Sequence, residues 1–180
     1  MSILLTGGRF KGRILKTPPS SEKVRPTSGK VREALFSILQ TKMSESTFAD
    51  MFAGTGSVGL EALSRGASKV DFFEKDPEIY ELLQSNCQSL KLEKKEFELY
   101  NADALNFSSH WHHYDIVFVD PPFHLDFENL LNQFMPWVGN SGDLVIQFPS
   151  RTPPSWVGTA YKTRAYGESG LAFFSCTSLE

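Results

Sequence analysis

Cysteine is almost absent: Cys87 and Cys176 are the only two in 180 residues, and they lie far apart. They fit neither a metal-ligand spacing nor a disulfide framework, which points to a reducing compartment. Long apolar runs are missing too. The opening MSILLTGGRFKGR has only Ile3, Leu4 and Leu5 in succession, and its charges follow them. That is the reverse of a secretory leader, and no run approaches the roughly 18 residues a membrane span needs. Repeats and low-complexity tracts are also lacking. The histidine cluster HWHH, His110 to His113, lies in a polar connection without a fourth ligand, so no metal is expected. These absences predict a soluble, cytoplasmic protein with no membrane partner.

What remains is an ordinary globular composition, 41% apolar and 22% charged, in a length that suits one full domain with a small appendage. The net charge of −3 hides a division. Residues 1–42 carry nine Lys/Arg against Glu22 and Glu33, a balance of +7, and the rest carries nine against nineteen acids, −10. A basic arm on an acidic body points to a polyanionic partner, most often nucleic acid. Within GGRFKGRIL the basic residues alternate with glycine and apolar residues, unlike a loose tail.

The chain reads as an arm, residues 1–45, and a body, residues 46–180. In the arm, residues 3–16 resolve into two short strands around glycines. TSGKVREALFSILQ predicts a helix capped by Thr27 or Ser28, with Val31, Ala34, Leu35, Ile38 and Leu39 on one face. The body alternates: strand Phe48–Phe52, helix Val58–Arg65, strand Val70–Glu74, helix Pro77–Leu90, strand Phe97–Tyr100, strand Asp115–Val119, helix Phe127–Val138, strand Leu144–Phe148. Such alternation builds a mostly parallel, doubly wound α/β sheet. The tail WVGTAYKTRAYGESGLAFFSCTS predicts an antiparallel hairpin.

ADMFAGTGSVGLEALSRGA sets Gly54, Gly56 and Gly59 between a strand and a helix, and Glu74 lies 20 residues beyond Gly54 at the end of the next strand. That is a nucleotide-cofactor fingerprint, the acid holding ribose hydroxyls. A tight turn that merely needs glycines would leave the acid unexplained. Asp50, four residues before Gly54, would repel a pyrophosphate but attract a sulfonium and an amino group, which favours S-adenosylmethionine. Asp103, with Ala104 beside it in NADAL, can accept from an adenine amine or cap a following turn.

The strand YDIVFV ends in Asp120, Pro121, Pro122 and Phe123. Neither proline can donate to a sheet ladder, so the strand stops there. The Asp120 carboxylate and Pro121 carbonyl can accept N–H bonds from an exocyclic amine and aim its lone pair. Phe123 can stack on a base, worth about 1–3 kcal/mol. A terminated strand with a buried ring is the structural alternative.

DPPF together with DMFAGTGSVGLEALSRGA resembles the amino-methylating, S-adenosylmethionine-dependent methyltransferases. GGRFKGRIL with RPTSGKVREALFSIL is similar to the N-terminal signature of the bacterial small-subunit (16S) ribosomal RNA guanine-N2 methyltransferases of RsmD type, and YGESGLAFF to that family's closing hairpin. The resemblance implies a Rossmann-like class I fold, with a mostly parallel seven-stranded sheet, a C-terminal antiparallel hairpin and a small N-terminal β-hairpin and helix. It implies that Asp50, Phe52, Ala53, Gly54, Thr55, Gly56, Gly59, Glu74, Lys75, Asp103 and Ala104 bind S-adenosylmethionine. Asp120, Pro121, Pro122 and Phe123 would hold the target guanine. Arg9, Lys11, Arg13, Arg25, Thr27 and Arg32 would meet RNA, as naked ribosomal RNA or the assembled small subunit. Thr55 and Ser57 depart from the Ser and Ala common at those positions. An amino-methyltransferase for DNA adenine or protein glutamine shares the DPPF turn. A nicotinamide oxidoreductase would leave that turn unexplained, and a silent RNA-binding module would leave the cofactor loop unexplained.

Overall fold

The structure, a computed structural model, describes residues 2–19, 27–107 and 113–176. The chain divides into two compact units, Met1–Phe107 and Ser108–Glu180. In the first unit, β1 (Ile3–Leu4) and β2 (Ile14–Leu15) pair antiparallel, Ile3 opposite Leu15 and Leu4 opposite Ile14. Helix α1 (Gly29–Ile38) starts at Ser28, whose Oγ accepts from the Val31 N–H at 3.3 Å. Of the two expected caps, the hydroxyl of Ser28 supplies this bond, satisfying an N–H that the helix itself cannot.

The alternating part follows as β3 (Thr47–Asp50), α2 (Ser57–Ser64), β4 (Lys69–Phe73), α3 (Pro77–Ser89) and β5 (Phe97–Tyr100), all within two residues of the boundaries read from the pattern. The three strands lie in the order β5-β4-β3 and are parallel. Helix α2 is buried along its whole length. Only a glycine fits at position 59, because a Cβ there would lie 2.3 Å from the Phe72 ring. Helix α3 is capped by Asp76, which accepts from the N–H groups of Glu78 and Ile79, with Pro77 in its first turn.

The second unit holds β6 (Tyr114–Val119), α4 (Leu130–Phe134), β7 (Val138–Pro149), β8 (Lys162–Tyr166) and β9 (Ser169–Ser175), ordered β6-β7-β9-β8. Ile116, Val117, Phe118 and Val119 are fully buried, as a parallel strand covered on both faces must be. β6 and β7 run parallel, and β9 is antiparallel to both β7 and β8. Besides the β1-β2 pair, the two units supply seven strands that are mostly parallel, and the expected closing hairpin is present.

Two elements differ from the pattern. The expected helix from Phe127 to Val138 is one short turn, α4, followed by a 3-10 turn at Met135–Trp137. Pro136 removes the donor a longer helix would use. Strand β7 begins at Val138 and not at Leu144, because its register against β6 jumps between Tyr114 and Ile116 and absorbs Gly139 to Gly142 as a bulge.

Candidate active site

Strand β3 delivers Asp50 to the start of the glycine loop. The side chain is buried, and Oδ2 accepts from the Gly59 N–H at 2.9 Å, fastening the loop to the first turn of α2. Gly54 and Gly56 both have positive φ, +53° and +83°. At Gly56 a Cβ would also lie 2.4 Å from the Leu83 side chain, so α3 packs directly under the loop. Asn86 of α3, fully buried, donates from Nδ2 to the Thr55 carbonyl at 3.0 Å. The loop is therefore held from both flanking helices.

Glu74 follows β4. Its Oε2 accepts from the Gly54 N–H at 2.9 Å and its Oε1 from the Asp76 N–H at 2.8 Å. Burial pushes its carboxyl above the usual carboxylate range, more than those two N–H groups pull it down, and the Asp76 charge adds to the rise. The carboxylate keeps acceptor capacity for a further donor. After β5, Asp103 accepts from the Leu105 N–H at 3.1 Å, while Oδ2 lies 3.8 Å from the Lys75 ammonium. The capping and ligand-binding readings of Asp103 are compatible, since only part of its acceptor capacity is used. Phe52 is half-buried, Ala53 and Ala104 are buried, and Lys75 is exposed. The eleven positions expected to serve a cofactor thus gather around the C-terminal ends of β3, β4 and β5, where open α/β sheets take ligands.

In the second unit, β6 ends at Val119 and the turn Asp120 to Phe123 follows, closed by the Leu125 N–H on the Pro122 carbonyl at 3.0 Å. Asp120 is half-buried. Pro121 is buried and Pro122 exposed. The Phe123 ring is half-buried and meets the Phe127 ring edge-on, with centroids 6.1 Å apart. Phe127 is anchored in turn, its carbonyl accepting from the Trp156 indole at 2.7 Å. A carboxylate, a rigid carbonyl and a braced ring thus stand together on one turn.

The basic arm divides. Lys11 is exposed, and its ammonium has no partner among the described residues. Arg9 is bonded to Glu96 and lies over the Phe10 ring, and Arg13 donates to the Ser89 carbonyl at 2.9 Å; both are surface residues. Arg32 departs from the expected RNA contact. It is 3% exposed, with Nε on Glu61 at 3.0 Å and its two terminal nitrogens on the carbonyls of Thr27 and Leu4. Each of its three nitrogens donates inside the protein, and the same packing buries Thr27. Arg25 lies outside the described residues, as do His110 and His112 of the histidine cluster; among the described residues there is no group of three or more potential metal ligands. Nor is any described helix long and apolar enough to cross a membrane.

Sequence reasoning missed Glu61 and Asn86, which carry these internal ties. Glu61 is wholly buried, accepts from Thr6 Oγ1, Arg32 and Arg65, and joins the arm to α2. A lone acid among Leu60, Ala62 and Leu63 was the available signal, since a buried carboxylate requires a partner.

The family model described as "Conserved hypothetical protein 95" matches residues 3–175. The chain is 35% identical over 174 residues to "Ribosomal RNA small subunit methyltransferase D" of Haemophilus influenzae, covering 89% of this chain and 88% of that one. A solved hypothetical protein from Thermus thermophilus superposes with a TM-score of 0.79 at 28% identity, over 95% of this chain and 98% of that one. An RNA methyltransferase from Salinibacter ruber, solved with S-adenosyl-L-homocysteine, shares the fold at a TM-score of 0.66 and 13% identity, over 84% of this chain and 94% of that one. With a match across nearly its full length, the chain belongs to the RsmD family.

Proposed function

We propose that this protein transfers the methyl group of S-adenosylmethionine to the exocyclic N2 amine of one guanosine in small-subunit ribosomal RNA. Family membership supports ribosomal RNA methylation with S-adenosylmethionine as cofactor. The site fits that cofactor: Glu74 keeps acceptor capacity at the positive-φ loop, Asp103 has spare acceptor capacity, and Asp50 and Glu74 put negative charge where a sulfonium is to be held. The cofactor supplies an electrophilic methyl group. Glu74 accepts from the ribose diol, and Asp103 accepts from the adenine amine.

The observation that carries the choice of an amine is the turn at the end of β6. A base amine is a poor nucleophile because its lone pair is delocalised into the ring. Asp120 and the Pro121 carbonyl accept its N–H bonds, and the prolines keep those acceptors from reorganising. Phe123 stacks on the base, its ring steadied by Phe127. Guanine offers N1–H and the N2 amine side by side, a pair that one carboxylate matches. The arm, residues 1–45, serves as the RNA-binding element through Arg9, Lys11 and Arg13, and residues 46–180 carry out methyl transfer.

The test is mass spectrometry of nucleosides after incubation of small-subunit ribosomal RNA, naked and assembled, with enzyme and labelled S-adenosylmethionine. Labelled N2-methylguanosine is expected. Label in N6-methyladenosine, or none in either substrate, overturns the proposal.

A further inference from the structure

The first unit places one helix between the basic arm and the glycine loop. On α3, Ser85, Asn86 and Ser89 share a face by helical spacing. The Lys16 ammonium donates to Ser85 Oγ at 2.7 Å, and the Arg13 guanidinium donates to the Ser89 carbonyl at 2.9 Å. Between them the Asn86 amide pairs with the Lys16 backbone as a neighbouring strand would. Its Oδ1 accepts from the Lys16 N–H at 2.8 Å, and its Nδ2 donates to the Lys16 carbonyl at 3.1 Å. The same Nδ2 donates to the Thr55 carbonyl, between the two positive-φ glycines of the loop. A single fully buried side chain therefore bonds the arm and the loop at once.

We propose that Asn86 is a positioning residue that couples the basic arm to the cofactor loop, so that RNA held by the arm and nucleoside held by the loop strengthen each other's binding. The inference rests on the methyltransferase reading given above. Its physical basis is a shared amide nitrogen. Nδ2 serves Lys16 and Thr55 together, so a shift of the arm at Lys16 disturbs the bond to Thr55 and the backbone of Gly54 to Gly56 with it. Ordering the arm on a polyanion leaves less disorder to remove when the loop closes on its ligand. Linkage makes the effect reciprocal. Buried amide and carbonyl groups do not leave such bonds unmade without cost, which keeps the connection stiff. The second link, Glu61 to Thr6 and Arg32, ties the arm to α2 beyond the loop and leaves Thr55 to Asn86.

The experiment is calorimetry of S-adenosylhomocysteine binding, with and without a transcript of small-subunit ribosomal RNA. In the unaltered protein the transcript is expected to lower the Kd about fivefold or more, the usual lower range of such coupling. Asn86→Ala should bring that ratio to within about twofold of one. A residue needed only for stability would shift both affinities and leave the ratio intact. Lys16→Ala retains the backbone bonds and should retain the ratio. Should Asn86→Ala fail to fold, Lys16→Pro removes the N–H that Asn86 accepts, and the same collapse is expected. A ratio of one in the unaltered protein, or an unchanged ratio in a folded Asn86→Ala or Lys16→Pro variant, overturns the inference. Failure of the unaltered protein to bind S-adenosylhomocysteine at all overturns the methyltransferase reading instead.

Discussion

Glu74 offers the sharpest test of the cofactor site, because both its oxygens are already held by backbone N–H groups. With Gly54 and Asp76 bonded to them at 2.9 and 2.8 Å, the carboxylate cannot swing away, and its remaining lone pairs point to a fixed place. Two ribose hydroxyls bonded to an ionised carboxylate contribute roughly 1.5–3 kcal/mol each. Losing both at the low end amounts to about 3 kcal/mol, so Glu74→Ala should weaken S-adenosylhomocysteine about a hundredfold. Glu74→Gln keeps one acceptor and should lose roughly tenfold or more. The pH dependence has a definite sign. Burial raises the folded-state carboxyl above its usual value, so cofactor affinity should fall as pH drops through that raised value, sooner than an exposed glutamate would allow. Stability moves the other way. A raised carboxyl contributes stability that is fully present below its unfolded pKa and is lost as pH rises through the folded one. Calorimetry at about pH 8 and about pH 5, with the 2′-deoxy ligand as a control, reads both effects. If the deoxy ligand is penalised equally in Glu74→Gln and the unaltered protein, the ribose assignment is wrong.

Arg32→Ala should cost about 3–5 kcal/mol, because it removes a buried partner of Glu61, and calorimetric Tm should fall by about 10 °C with the salt slope of RNA binding unchanged. A surface role in RNA binding would give the opposite pattern. Neutralising Arg9, Lys11 and Arg13 together should reduce the salt slope of RNA binding by about three, with Lys11→Gln alone reducing it by about one; an unaltered slope removes the arm from the interface. Asp120→Ala should abolish most turnover in a single-turnover assay while leaving cofactor affinity within about threefold, and Asp120→Asn should retain more activity than Ala, since its amide keeps one acceptor. Full activity in Asp120→Ala would end the account of the DPPF turn.

The elements that were legible in the sequence are those whose signal is local. The glycine loop needs positive φ, α3 has an Asp76-Pro77 start, and β6 ends in the apolar run Ile116–Val119 stopped by prolines. All three stand where the pattern puts them. The β7 boundary was not legible, because GNSG has turn composition while the structure draws those residues into the strand as a bulge against β6. Nor was the burial of Arg32. Charge counting put it with the other arm residues, although Arg32, Leu35 and Phe36 fall on one helical stripe and all three are buried. An arginine on an apolar stripe and an acid in an otherwise apolar helix each need a partner. The sequence shows both needs without showing that they meet.

That meeting explains why the arm is joined to the unit by charges as well as by Ile3, Leu5 and Leu15. The strands β1 and β2 are two residues each, too short to fix their own register, and apolar burial has no direction of its own. A slip by one residue would turn Ile3 and Leu15 outward and bring in Leu4 and Ile14, which are large and apolar too and are now exposed. Hydrophobicity alone therefore discriminates weakly between the two registers. Hydrogen bonds discriminate strongly, because the slipped hairpin would cost Glu61 its bond from Thr6, Arg32 its bond to the Leu4 carbonyl and the Asn86 amide both of its bonds to Lys16, leaving buried donors and acceptors short of a partner. The polar ties thus select the register that apolar contact cannot. They hold Arg9 and Lys11 on the chain between the two strands, at a fixed displacement from the loop that carries Gly54 and Gly56.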